Sequence, residues 1–539
     1  MLPRPPPPSA PPATQPLPAT SIAWLASLAC AAGAIAFGLY CFALQTRSGF
    51  VVTGLGNPGQ GGGAWGLYIA FDVFFVGVSF AGITIAALCR LFDIAALRPV
   101  TRLAELLTIT ALVAGACAVM SDLGRPLHGL LELPNFANPR SPFFGTFTLV
   151  VAGYLFASVV YFFLAAREDA AATARTASQG RWFYRLWASG WRDAPSDHRR
   201  HHQVSFWLAL GILPLLVTAH STLGFIFGIQ SGRPGWYSAL QAPAFVVMAG
   251  VSGTGGVILV TLAVRRLLRL HDRIPDASIR WLGNFLWVLS LVYLYFMVVE
   301  ELTATYAAPA ADRRVAHEIV TGAFAPLFWT AVLSLFLAFA IPFSLYLRKR
   351  TSMAAVGLAA LLANVAAVLK RLLIVVPSQT HGTLAQVDPP SRYAPSWIEL
   401  GIVLGMFGVV AFAILLFVRI FPVVPTAHPP GGSPTRAERG WMRIAATTLT
   451  ALVALALITI GITDSFRLWS GEETDPRLPY SPAIFAAGVM MLFSSAIVYE
   501  AFPARGKPPV AQVIRAGHRR VYARAQFRSS RDLRNRRQP

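Results

Sequence analysis

Charged residues are scarce in this sequence. They make up 13% of the 539 residues, whereas hydrophobic residues make up 55%, and an ordinary soluble domain carries about 25% charged residues. The deficit excludes a typical soluble globular protein. It indicates a chain that lies mostly in lipid, where only helices and closed barrels satisfy every backbone polar group.

Cysteine and histidine are also few. The four cysteines lie in apolar runs and form no C-x-x-C pair, so the sequence has no pattern for a zinc site or an iron–sulfur cluster. Only His220 among the ten histidines lies well inside an apolar run, so a membrane haem held by two histidines is not expected. No G-x-x-x-x-G-K-[ST] phosphate-binding loop is present either. If electrons pass through this chain, another subunit must supply the metal centres.

Long apolar runs fill most of the remaining sequence. About 20 such residues cross a bilayer, and the chain contains roughly twelve runs of that size. They are 22–44, 66–89, 99–120, 141–166, 204–228, 239–265, 280–303, 320–347, 352–376, 395–421, 443–463 and 481–501. The sequence therefore predicts an all-α integral membrane protein with about twelve transmembrane helices.

Composition divides the chain into segments. Residues 1–21 are proline-rich and are expected to be disordered rather than a cleaved signal peptide. The predicted parts that follow are a first helix at 22–44, four-helix bundles at 66–228 and 239–376, a tenth helix at 395–421, two appended helices at 443–501 and a basic tail at 502–539.

A short motif occurs twice. Gly77 to Gly82 and Gly250 to Gly255 both fit G-V-S-x-x-G, and they lie four predicted helices apart. This offset suggests a parallel repeat of two four-helix bundles. The alternative is that small residues simply allow close helix packing at both places.

Basic residues crowd alternate loops, and the net charge is +21. The positive-inside rule then places both termini in the cytoplasm. The expected location of the helices is the inner membrane of a bacterium. The tail from Arg505 to Arg537 holds eleven basic residues against Asp532 alone. No nucleic-acid-binding motif accompanies this charge, so membrane lipids are the expected partner of the tail.

Polar residues near the outer face are the first functional candidates, because ionisable groups are costly within a membrane. A quinol needs both hydroxyls bound and two protons removed, and a carboxylate and a histidine can do both. The candidates are Asp72 and His220 for proton handling, and Tyr68, Asp122, Arg125 and His128 for binding the quinone.

Each candidate also has a purely structural interpretation. Asp72 could pair with Arg125, and His220 could make a helix–helix hydrogen bond. The turn at Asp122 and Arg125 could be held by its own side chains, and His128 could be a solvated loop residue. A second polar set includes Glu301 and Arg371, which would form a proton or ion path if they pair, although Lys370 and Arg371 could instead reach the membrane interface.

The chain resembles the polysulfide reductase/NrfD family of quinone-interacting membrane subunits over about residues 60–421. The motifs that carry the resemblance are Trp65–Tyr68, Phe74–Gly77, Asp122–Pro126, His220-Ser221, Arg233–Ser238, Glu301–Thr303 with Tyr306, and Lys370–Val375.

The resemblance implies two four-helix bundles with a quinone site in the first, near the outer face. It implies menaquinone or ubiquinone as the ligand, a ferredoxin-like iron–sulfur subunit docked above the site, and a further redox subunit. It also implies that this chain holds no metal. Tyr68, Asp72, Asp122, Arg125, His128 and His220 occupy the matching positions, and the part after residue 440 lies outside the resemblance.

Two other functions are compatible with the sequence. Parallel repeats and intramembrane charges also suit a secondary transporter or a proton-conducting subunit. A membrane anchor that only tethers a catalytic partner would need none of the polar residues. Dependence on an iron–sulfur partner distinguishes the first interpretation from a transporter. An effect of substitutions in the polar cluster on electron transfer distinguishes it from an anchor.

Overall fold

The computed structural model describes residues 21–55, 64–131, 153–176, 180–306, 308–381, 393–424, 441–470 and 481–501. Its regular elements in these ranges are helices. They are α1 (Ile22–Ser48), α2 (Leu67–Phe92), α3 (Thr101–Asp122), α4 (Pro126–Leu131), α5 (Phe156–Thr176), α6 (Arg181–Ala188), α7 (Pro195–Gly228), α8 (Gln241–Leu267), α9 (Asp276–Tyr306), α10 (Ala310–Val320), α11 (Ala325–Leu347), α12 (Met353–Val375), α13 (Pro377–His381), α14 (Trp397–Ile420), α15 (Trp441–Ser470) and α16 (Ser481–Ala501).

Nine helices of the described ranges are long and apolar enough to cross a membrane. They are α1, α2, α3, α7, α8, α9, α11, α12 and α14. The predicted all-helical, multi-pass membrane fold is therefore confirmed. The predicted run 141–166 falls partly outside the described residues, and α5 forms its second half. The last two predicted helices are present as α15 and α16, whose apolar stretches Ala445–Gly461 and Ala487–Ile497 are shorter.

Helix α2 lies at the centre of the structure. It packs on α3 and α7 of its own bundle and on α8 and α12 of the second bundle. Helices α3 and α7 also contact α5, which completes the first bundle, while α8, α9, α11 and α12 form the second. Helix α1 packs on α14, which packs on α3. Helix α15 packs on α16, and α16 packs against α5 and α7.

The two copies of the repeated motif meet where α2 crosses α8. A Cβ atom built on Gly253 would lie 2.5 Å from the Cβ of Ala81 and 2.7 Å from the carbonyl oxygen of Val78. A Cβ on Gly77 would lie 3.2 Å from the hydroxyl of Ser252. The small residues therefore bring the two central helices close together, as such residues do between transmembrane helices.

Gly253→Ala should destabilise the protein because the added methyl group meets backbone and cannot be accommodated by a side-chain rotation. We expect a cost of about 1–3 kcal/mol, the usual range for overpacking, seen as a lower midpoint of thermal unfolding in detergent. Gly211→Ala is the matched control, since a Cβ there meets nothing within 4 Å and alanine favours the helix. Equal midpoints for the two variants would contradict the tight crossing.

Charges near the start of α3 are accommodated inside the protein. Arg102 is 2% exposed and forms an ion pair with the equally buried Asp169 of α5. Its guanidinium also donates to the carbonyl oxygens of Pro422 and Ala165, each at 3.2 Å. A buried arginine needs such partners, and they let α3 carry a charge without losing its transmembrane position.

Candidate functional site

Four helix ends meet at one end of the first bundle: the end of α1, the start of α2, the end of α3 and the start of α14. We call this the acidic end. Electrostatic and hydrogen-bond contacts link its polar side chains into one group. This acidic cluster consists of Gln45, Tyr68, Asp72, Asp122, Tyr393 and Glu399.

Tyr68 is fixed by a chain of hydrogen bonds. Its side chain is fully buried, and its hydroxyl donates to Oε1 of Gln45 at 2.5 Å. The amide nitrogen of Gln45 in turn donates to the carbonyl oxygen of Ser121 at 2.7 Å. The phenol of Tyr68 therefore joins α1, α2 and the end of α3, and its position is set before any ligand arrives.

Asp72 and Asp122 accept no hydrogen bond from the part of the chain that the structure describes. Within the described residues Asp72 has no hydrogen bond or ion pair, and Oδ1 of Asp122 is buried with no partner. Asp122 is the acidic side chain that acts electrostatically on Asp72. Gly115 of α3 faces Asp72, and a Cβ there would lie 3.3 Å from its Oδ1. Buried polar atoms normally have partners, so the unpartnered Oδ1 of Asp122 indicates a place where a polar ligand could bind.

Glu399 ties the cluster to α14. It is fully buried, and its Oε2 accepts from the backbone nitrogens of Gly54 at 2.6 Å and Ser396 at 2.8 Å. Its Oε1 accepts from the hydroxyl of Tyr393 at 2.7 Å. Ser396 is the N-cap of α14, and Ser396 and Glu399 together form a capping box.

Tyr393 links Glu399 to the start of α2. Its hydroxyl accepts from the backbone nitrogen of Leu67 at 2.7 Å while donating to Glu399. Burial, and then the negative charge of Glu399, raise the pKa of Tyr393 above its usual range. The phenol therefore keeps its proton at physiological pH, and this hydrogen bond does not switch with pH.

A group of aromatic rings lies on α2 and α14, the two helices that also carry Asp72 and Glu399. Phe71 lies beside Asp72 in the sequence, and its ring is 5.8 Å from Phe407 of α14, with Phe74 and Phe75 in the same group. Planar apolar ligands pack well against such rings. Sites for rings with polar substituents combine apolar or aromatic side chains with a few polar groups, and α2 carries both kinds of residue in Phe71 and Asp72.

A second aromatic group joins the bundles at the acidic end. The rings of Trp65 and Trp236 stack at 5.8 Å, and Phe227 packs edge-on against both. The indole nitrogen of Trp236 donates to the carbonyl oxygen of Ile374 at 2.6 Å. The motif Arg233–Ser238 thus holds the start of α2 against the end of α12.

His220 makes a helix–helix hydrogen bond, which was the structural interpretation of this residue from the sequence. It is 1% exposed, with Nδ1 at 2.9 Å from the carbonyl oxygen of Leu216 and Nε2 at 3.0 Å from that of Val76. Val76 lies one turn beyond Asp72 along α2. The imidazole hydrogen bonds therefore go to backbone rather than to Asp72 or Asp122.

Arg125 and His128 are exposed on the segment after α3. The backbone nitrogen of Arg125 donates to the carbonyl oxygen of Leu123 at 2.7 Å, and Gly124 has a φ of 69°, so backbone geometry forms the turn. No ion pair joins Arg125 to Asp72, two residues that the structure describes. The side chains of Arg125 and His128 therefore lie outside the acidic cluster.

In the second polar set, the expected pair was Glu301 with Arg371, but the ion pair in the structure joins Lys370 to Glu300. Lys370 donates to Oε2 of Glu300 at 2.6 Å, while Arg371 lies over the ring of Phe245 at 4.1 Å. Among the described residues, Oε2 of Glu301 and one terminal nitrogen of Arg371 are buried without a hydrogen-bond partner. Glu301 and Arg371 therefore form no ion pair, and a path through them stays a prediction.

Sequence reasoning missed three members of the acidic cluster: Gln45, Tyr393 and Glu399. Two of them carried a detectable signal. Gln45 directly follows the apolar run 22–44, and Ser396-x-x-Glu399 fits a capping box. Tyr393 carried none, because its partner Leu67 lies 326 residues away in the chain.

These features define a multi-pass helical membrane protein with an acidic site at one end of its first bundle. A comparison with protein families matches residues 57–382, more than half of the chain, to the family described as polysulphide reductase, NrfD. The chain belongs to this family, as the sequence motifs predicted.

Individual relatives are named as subunits of reductases and oxidoreductases. The chain is 31% identical over 288 residues to a putative dimethyl sulfoxide reductase membrane subunit of Halobacterium salinarum, a match that covers 53% of this chain and 61% of the relative. It is 24% identical to a selenate reductase subunit of Mesobacillus selenatarsenatis, over 69% of this chain and 89% of the relative.

A third relative is named for a quinol. It is the Hdr-like menaquinol oxidoreductase integral membrane subunit of Archaeoglobus fulgidus, 23% identical over 418 residues, which cover 75% of this chain and 95% of the relative.

Proposed function

We propose that this chain is the membrane subunit of a respiratory oxidoreductase complex and that it binds quinol or quinone at the acidic cluster. The supporting observation is the pair of acidic side chains Asp72 and Asp122, which accept no hydrogen bond from the described residues, with Oδ1 of Asp122 buried. Phe71 precedes Asp72 on α2, and its ring packs against Phe407 of α14. The name of one relative agrees with a quinol ligand, since that protein is a menaquinol oxidoreductase subunit.

The residues present fit a quinol. A quinol is a flat ring with two hydroxyl groups, and when bound it supplies two electrons and two protons. The wall of phenylalanines provides packing for the ring, and an unpartnered carboxylate provides an acceptor for a hydroxyl. Asp72 accepts the hydroxyl proton as a general base. Tyr68 shapes the space beside it, because Gln45 holds the phenol in place.

Other groups hold this geometry without touching the ligand. His220 fixes α7 against α2 one turn from Asp72, and Tyr393 fixes the start of α2 against α14. The electrons leave toward an iron–sulfur subunit, which docks at the acidic end beside the exposed Arg125 and His128. This end faces the periplasm of a bacterial inner membrane, because the positive-inside rule places the basic loops at the other end in the cytoplasm.

Purification of the native complex in mild detergent tests this proposal. We expect an iron–sulfur protein and a further redox subunit to co-purify, iron in the complex, and extractable quinone at about one molecule per chain. An Asp122→Asn variant is expected to retain the partners and lose most of the quinone. A solitary, iron-free chain would contradict the proposed complex.

A secondary transporter is the second candidate function. Buried Arg371 and the unpartnered oxygen of Glu301 favour it, because intramembrane charges often mark ion pathways. Solute or proton flux through the isolated chain in liposomes, abolished by Arg371→Gln, would support this function over the redox one.

A further inference from the structure

A cavity of about 270 Å³ lies at the opposite end of the second bundle from the acidic end. Helix α9 begins there, α11 ends there and α12 begins there. The polar residues that line it are Arg280, Asn284, Tyr346, Lys349, Arg350 and Thr351. We call it the basic cavity, and nothing in the proposed redox function uses it.

Three cations face this cavity without a carboxylate partner. Within the described residues Arg280, Lys349 and Arg350 form no ion pair, and all three are exposed. The end of α11 fixes two of them, since the backbone nitrogens of Lys349 and Arg350 donate to the carbonyl oxygens of Tyr346 and Leu345 at 3.1 and 3.0 Å. Lys349 has a φ of 51°, a conformation that non-glycine residues seldom adopt.

An aromatic wall runs from the basic cavity toward the membrane interior. The ring of Trp287 on α9 lies 5.9 Å from Tyr346, which lines the cavity, and 5.2 Å from Phe343. Phe343 stacks on Phe339 at 5.2 Å, one turn further from the cavity. Cations at the interface and an apolar wall below them match the two halves of a phospholipid.

The indole nitrogen of Trp287 is a second sign of a missing ligand. It is buried and has no acceptor among the described residues. Tryptophan normally finds a hydrogen-bond acceptor when it is buried. An ester carbonyl of a glycerolipid, which lies just below the phosphate, would supply an acceptor at that level.

We propose that the basic cavity binds an anionic phospholipid, with its phosphodiester among Arg280, Lys349 and Arg350 and an acyl chain along the aromatic wall. Basic pockets between transmembrane helices commonly bind such head groups on the cytoplasmic side. Complementary charge favours an anionic lipid over a zwitterionic one. The aromatic wall favours a lipid over free phosphate, which has no apolar part.

The test compares retained lipid in two variants of equal charge. The purified complex is placed in nanodiscs of phosphatidylcholine doped with phosphatidylglycerol, and bound lipid is counted by native mass spectrometry. The first variant combines Arg280→Gln, Lys349→Gln and Arg350→Gln. The control combines Arg185→Gln, Arg266→Gln and Arg269→Gln, exposed arginines expected on the same face that do not line the cavity.

We expect the native protein and the control to bind phosphatidylglycerol in preference to phosphatidylcholine. The cavity variant should bind it at least about tenfold more weakly, because each cation near a membrane surface contributes a few-fold in affinity. Equal retention by the cavity variant and the control would overturn the proposal. So would displacement of the lipid by millimolar inorganic phosphate, which would show a free-anion site.

Trp287→Phe keeps the test decisive if the triple cavity variant does not fold. It leaves all three cations and the aromatic wall and removes only the indole donor. We expect about fivefold weaker retention of phosphatidylglycerol, the usual effect of one lost hydrogen bond. Retention equal to the native protein would contradict the assigned position of the lipid ester.

Discussion

Asp72→Asn should slow quinol oxidation by the complex at least about 100-fold, within the 10²–10⁴ range of general-base catalysis. The amide has almost the shape of the carboxylate but cannot take up a proton at neutral pH. Asp72 has no hydrogen bond or ion pair within the described residues, so the substitution breaks no protein contact there. The measurement is steady-state turnover with a soluble quinol analogue, beside the amounts of co-purifying subunits.

Two variants separate catalysis from packing in this experiment. Glu105→Gln is the matched control, since Glu105 is a buried carboxylate of the same bundle near its other end, and it should change turnover by less than about threefold. Gly115→Ala places a methyl group 3.3 Å from Oδ1 of Asp72 and should raise KM more than it lowers kcat. Full turnover in Asp72→Asn with normal assembly would remove Asp72 from the proposed chemistry.

The helical membrane fold could be predicted because its signals are local. Apolar runs of bilayer length stand out from the sequence whatever their neighbours are. The clustering of Tyr68, Asp72 and Asp122 could also be predicted, because Asp72 lies one turn from Tyr68 and Asp122 ends the next helix. Adjacent antiparallel helices must bring those ends together.

The rest of the site depends on how apolar helices are rotated about their axes. Helix α2 is buried nearly all round, so hydrophobic periodicity does not show which face Asp72 shares with which neighbour. The sequence could therefore not distinguish a contact of His220 with Asp72 from its contact with the carbonyl of Val76. For the same reason it could not show that Lys370, rather than Arg371, pairs with a glutamate of α9.

Glu399→Ala should be among the most destabilising single substitutions in this protein. It removes the acceptor for Gly54, Ser396 and Tyr393 together, and hydrogen bonds to a charged group contribute about 1.5–3 kcal/mol each. Since such effects are not additive, we expect a loss of about 3–5 kcal/mol, the range for one partner of a buried charged group. The measurement is the thermal unfolding midpoint of the purified protein in one detergent.

Ser396→Ala tests whether this loss comes from helix capping alone. It deletes the hydroxyl that accepts from the backbone nitrogen of Glu399 and should cost about 1 kcal/mol, as other N-caps do. Tyr393→Phe should fall between the two, because it breaks only the link from Glu399 to Leu67. If Glu399→Ala costs no more than Ser396→Ala, Glu399 caps α14 without tying α1 and α2 to it. If stability instead falls from Ser396→Ala through Tyr393→Phe to Glu399→Ala, Glu399 also positions the start of α2, which carries Tyr68 and Asp72. Quinol turnover should then fall together with stability across the three variants.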